Sequence, residues 1–110
     1  MLDSILEIRT ADDGSVVISP HGAGDPVRAG ELRHALVHLL RRVRPLRVIV
    51  DLSDVPDLDP FDVGSVAAAC DLGDDHQVPV FVRSPSGAMT DRLTAAGIPR
   101  QRVSPSPHRP

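Results

Sequence analysis

Tryptophan, tyrosine and lysine are all missing from this chain of 110 residues, which has only two phenylalanines and one cysteine. The twelve basic residues are all arginine, and fifteen Asp and Glu leave a formal net charge of -3. A general nucleic-acid binder is excluded on both counts, since the chain has neither an excess of phosphate-neutralising charge nor a set of aromatic rings on which bases stack. The single cysteine, Cys70, cannot close an internal disulfide, and its place in the run Val66 to Cys70 marks it as a small buried hydrophobe. Also lacking is any apolar run of about 20 residues that could span a bilayer. The start, Met1 to Ser4, has none of the basic and apolar regions of a signal peptide. The expectation is a cytoplasmic protein without direct membrane insertion.

What the chain does contain is 41% hydrophobic residues in a length suited to one domain. Ile5 to Arg9 and Val16 to Ser19 flank the turn-forming run Asp12-Asp13-Gly14-Ser15 and predict an antiparallel hairpin. Pro20 to Gly24 breaks the sheet. Leu32, Ala35, Leu36, Leu39, Leu40 and Val43 then recur at helical spacing, with Asp25 as N-cap, Pro26 at the first position and Arg41, Arg42 and Arg44 near the negative end of the dipole. Pro45 ends that helix, and Leu46 to Leu52 is an apolar, β-branched run expected of a central strand. A second helix is predicted from Pro60 to about Asp74, with Asp59 as its cap and Val63, Val66, Ala67 and Cys70 as its apolar face. Gly64 and the alanines would let it lie close to the sheet.

Val78 to Val82 reads as the next strand, with Pro79 favouring its start or an edge position. Ser84-Pro85 would cap a third helix carrying Met89 and Leu93 on one face and closed by Gly97-Ile98, and Arg100 to Val103 would form a short last strand. The domain is expected over residues 1–103, with 104–110 a disordered tail. A hairpin followed by alternating strands and helices predicts an α/β fold with a mixed sheet of four to five strands, right-handed crossovers and three main helices packed mainly on one side.

Five carboxylates, Asp51, Asp54, Asp57, Asp59 and Asp62, fall within twelve residues. Their spacing matches neither an EF-hand loop nor an Asp-x-Asp nucleophile site at a strand end, so neither metal nor cofactor is expected. His34 and His38 stand four apart on the first helix but have no third ligand nearby, and are assigned to a solvated face. The Arg41, Arg42, Arg44 and Arg47 cluster is read as complementing its own helix dipole, with an acidic partner as the alternative. No nucleophile and base can be paired, which argues against an enzyme.

The strand Val48 to Leu52, the run Asp51-Leu-Ser-Asp-Val, the Asp59-x-x-x-x-Gly64 spacing, the segment His21-Gly-Ala-Gly-Asp25, and Val80 to Pro85 followed by Arg92-Leu93 and Gly97-Ile98 together resemble the STAS domain. That family includes bacterial anti-sigma factor antagonists and the cytoplasmic tails of sulfate transporters. The resemblance, over roughly Ile5 to Val103, implies a regulatory binding protein without chemistry of its own. It would dock an anti-sigma factor of the ATP-binding kinase type through Asp25, Asp57, Asp59, Pro60, Phe61, Asp62 and Gly64. Phe61 either projects outward as an interface anchor or packs under the first helical turn. The resemblance also implies a Ser or Thr directly after Asp59 as phosphoryl acceptor, and here that residue is Pro60, so no phosphorylation is expected at the family position. Ser53, Ser65 and Ser84 remain as hydroxyls elsewhere. The alternative reading is a STAS subunit of a membrane or lipid transporter complex. Exposed sheet edges could pair two copies into a homodimer, though nothing in the sequence requires it.

Overall fold

β-Branched residues concentrate in three short runs, and a computed structural model, which describes residues 6–21, 26–55 and 58–105, places those runs side by side at the centre of one sheet. The strands are β1 (Leu6–Thr10), β2 (Val16–Pro20), β3 (Val48–Asp51), β4 (Val80–Ser84) and β5 (Val103–Pro105), in the spatial order β1-β2-β3-β4-β5. The hairpin β1–β2 is antiparallel, with Ile8 opposite Ile18, and the other pairs are parallel, with Ile18 opposite Val50 and Val50 opposite Val82. Gly14, at φ 91, permits the tight turn between β1 and β2, and the Asp13 carboxylate accepts from the Ser15 amide at 2.9 Å.

The parallel pairs require crossovers, supplied by α1 (Pro26–His38), α2 (Pro60–Asp75) and α3 (Gly87–Ala95). Alternate strand residues Val16, Ile18, Val48, Val50, Val80 and Val82 join Leu32, Leu36, Leu40, Val66, Ala69, Cys70 and Leu93 in one buried core. That clustering puts the helices on one face, as predicted. On the other face Ile49 and Phe81 lie side by side, and the Arg102 guanidinium stands 5.4 Å from the centre of the Phe81 ring. Among the described residues, no helix is long and apolar enough to cross a membrane.

Several boundaries differ from the sequence expectation. The last turn of the first helix, Leu39–Val43, is π-helical and closes with the Arg44 amide donating to the Leu39 carbonyl at 2.7 Å while Arg44 takes φ 53. The wider turn rotates Val43 out of the apolar stripe, so it is 51% exposed instead of buried. Close approach of α2 to the sheet occurs at Gly73, where a Cβ would stand 2.3 Å from the Val78 carbonyl oxygen; at Gly64, expected to serve that purpose, nothing lies within 4 Å. Helix α3 is capped by Ser86, whose hydroxyl accepts from the Met89 amide, because Ser84 is still a buried strand residue. Arg100–Arg102 is a 3-10 turn and β5 runs to Pro105, two residues past the expected domain end at Val103. Residues 106–110 of the expected tail lie outside the described residues. The predicted closure of α3 holds: Gly97 is at φ 101 and the Ile98 amide donates back to Leu93.

Candidate functional site at the start of helix α2

Asp59 adopts extended backbone geometry and its Oδ1 accepts from the Phe61 amide at 2.7 Å, while Pro60 occupies the first helical position. The cap therefore satisfies a donor that has no partner inside the helix, and proline wastes none. The segment is anchored from two sides. Leu58 buries its side chain in the core and its carbonyl accepts from Arg92 of α3. Helix direction then separates the next two residues: Phe61 is 74% exposed and Asp62 only 1%. Phe61 therefore projects outward and does not pack under the first helical turn.

Asp62 departs from the expectation that it lines an exposed recognition face. Its carboxylate forms an ion pair with Arg28 of α1, itself 1% exposed, and Arg28 also donates to the His21 carbonyl at 3.4 Å. The physical reason is periodicity. Asp62 shares a helical stripe with Val66, Ala69 and Gly73, all buried, and Arg28 shares one with Leu32 and Leu36. An inward carboxylate on one helix meets an inward guanidinium on the other. Arg28 was not singled out from the sequence, although its place on the apolar stripe was readable there. Gly64 is exposed. Asp25 and Asp57 lie outside the described residues.

A second polar group gathers where β1, the end of β2 and the loop after β3 meet. His21 Nδ1 stands 2.9 Å from Asp54 and its Nε2 3.1 Å from Glu7. Asp51 accepts from both the amide and the hydroxyl of Ser53 and faces Arg83 at 3.7 Å. Sequence reading missed this cluster because Glu7 and His21 are brought to Asp54 only by the sheet. Among the described residues, no group of three or more His, Cys, Asp or Glu could hold a metal ion. His34 and His38 are both exposed. Burial pushes the Cys70 thiol up to about 11, which keeps it a neutral core side chain at ordinary pH.

The exposed aromatic at this capped helix start belongs to a mixed α/β domain of five strands and three crossover helices. The model of the STAS domain family matches residues 7–106, and the chain belongs to that family. Among solved structures it is similar to RsbS of Moorella thermoacetica, with 18% identity and a TM-score of 0.78, covering 94% of this chain and 88% of that one. It is similar also to the phosphorylated form of the Bacillus cell fate determinant SpoIIAA, with 15% identity, a TM-score of 0.77 and coverage of 93% and 91%. An anti-sigma factor antagonist from Mycobacterium paratuberculosis shares 27% identity at a TM-score of 0.63, covering 82% of this chain and 76% of that one. Comparison with curated proteins finds no significant match.

Proposed function

We propose that this protein is a regulatory binding module of the anti-sigma factor antagonist type, docking an anti-sigma factor of the ATP-binding kinase type without catalysing a reaction. The docking surface is the start of α2, with Asp59, Pro60, Phe61 and Gly64, joined by Asp25 and Asp57. Asp62 is reassigned to positioning, because a fully buried carboxylate cannot meet a partner. The observation that carries the proposal is Phe61, one of two aromatic residues in the chain and 74% exposed on the first turn of a rigidly capped helix. Exposing so large an apolar side chain stabilises nothing in the isolated domain, whereas aromatics anchor interfaces when buried by a partner. The 27% identity to the mycobacterial antagonist supports the same reading.

Pro60 has no hydroxyl, so phosphate cannot be placed at the residue after Asp59, and docking is competent without that switch. The test is co-purification of the tagged protein from its native cells, with partners and phosphate identified by mass spectrometry. Recovery of an ATP-binding anti-sigma kinase, lost on Phe61→Ala, supports the proposal. Recovery of a permease or transport ATPase instead would replace it with the transporter-subunit reading.

A further inference from the structure

Helices α1 and α2 do not close against each other along their outer edge. Between them runs a half-open groove of about 310 Å³ whose lining includes the buried side chains of Leu36 and Ala69, the exposed Phe61 and the bare backbone of Gly64. At Gly64 a Cβ would meet nothing within 4 Å, so this wall is open by virtue of the missing side chain. Among the lining residues Arg33 is the one charged group and Ser65 the one hydroxyl; the rest are apolar or glycine. Arg33 is exposed and has no hydrogen bond or ion pair among the described residues. Other arginines are paired, Arg28 with Asp62, Arg47 with Asp13 and Arg102 with Asp74. Arg9, Arg41, Arg42 and Arg44 are likewise exposed and without a side-chain partner among the described residues, but Arg33 is the one guanidinium that lines the apolar groove.

We propose that this groove binds a small amphipathic carboxylate, with the anionic head on Arg33 and the hydrocarbon tail against Leu36, Gly64 and Ala69. Size favours a small molecule. At about 310 Å³ and half-open, the groove is at the low end of the range for ligand sites. Charge favours an anion: a planar guanidinium offers paired donors that match a carboxylate, and the absence of acidic lining residues leaves a cation no partner. The groove shares Pro60, Phe61 and Gly64 with the docking surface proposed above. An occupied groove would thus withhold that surface from the partner, a ligand switch in a chain that lacks the phosphoryl acceptor. Only this last consequence rests on the docking reading.

The experiment is titration of the 15N-labelled protein with octanoate, a carboxylate of the required size, below its micelle concentration, followed by amide shifts. Saturable shifts centred on Gly64, Ser65 and Ala68 are expected, with octylammonium giving none. Arg33→Glu, at an exposed position that leaves the core untouched, should weaken octanoate about tenfold. Gly64→Leu should abolish binding by filling the open wall. No saturable shift, equal binding of octylammonium, or unchanged affinity in Arg33→Glu would overturn the inference. Loss of octanoate binding with partner capture intact rejects this inference alone, and loss of partner capture with octanoate binding intact rejects the docking reading alone.

Discussion

Arg28 and Asp62, 34 residues apart in the chain, form an ion pair buried between α1 and α2, with each side chain 1% exposed. The pair lies one residue beyond Phe61, so the helix that displays the aromatic is tied through its first turn to α1 and, via the His21 carbonyl, to the end of β2. Removing one partner strands the other charge in the core, at a cost of about 3–5 kcal/mol. Arg28→Ala and Asp62→Ala should each lower urea-unfolding stability by that amount. The double variant Arg28→Met with Asp62→Leu, which leaves no charge behind, should recover most of the loss. Equal destabilisation by the double variant would show that the pair does not act as a unit.

Two glycines of α2 should respond oppositely to alanine. Gly64→Ala adds a Cβ to open space in a helix interior and should raise stability by about 0.5–1 kcal/mol. Gly73→Ala drives a Cβ to 2.3 Å from the Val78 carbonyl oxygen and 2.8 Å from a Val80 methyl, so it must push α2 off the sheet. Overpacking of this kind costs about 1–3 kcal/mol. Thermal unfolding of the two variants side by side checks the sign of each.

Phe61→Ala should leave the midpoint of unfolding within about 0.5 kcal/mol of the parent, because the ring is 74% exposed. The same change should weaken partner docking by about 2 kcal/mol, the range of an interface anchor. Calorimetric titration against the captured partner separates the two effects. A loss of stability with no loss of affinity would place Phe61 in the fold and not in the interface.

The pH dependence of stability carries a signature of Cys70. Its thiol is raised by burial from an ordinary value near 9.0 to about 11. The unfolded chain therefore ionises first as pH rises, and the folded state loses stability progressively between about 9 and about 11, with no contribution below that window. Urea titrations of the parent and Cys70→Ala at pH 7 and pH 11 should show a smaller alkaline loss in the variant. At pH 8 a thiol reagent should label the native protein far more slowly than the unfolded chain.

Asp59→Ala should cost about 1 kcal/mol by leaving the Phe61 amide without its acceptor, and Asp59→Asn, which keeps an oxygen there, should cost much less. Equal losses would show that charge, through the helix dipole, outweighs the capping bond.

Local chemistry was enough to read much of this protein from its residues. Proline after aspartate announces the start of α2, glycine with a following isoleucine announces the end of α3, and three β-branched runs announce the parallel strands, because each signal depends on backbone constraints within a few residues. The alternation of those elements, with the order of the Asp51–Gly64 and Val80–Ile98 motifs, also carried the family. Tertiary structure decided what depends on two segments at once. Asp62 looked like one more surface carboxylate until α1 brought Arg28 against it. Whether Phe61 turned in or out was settled by which face of α2 lies inward, the one that carries Asp62, Val66, Ala69 and Gly73. The groove beside Arg33 exists only because two helices pack with small side chains between them, and His21 meets Glu7 and Asp54 only through strand pairing. Periodicity specifies which face of an element is apolar, but distances between elements are set by packing, and it is in those distances that the candidate sites of this protein reside.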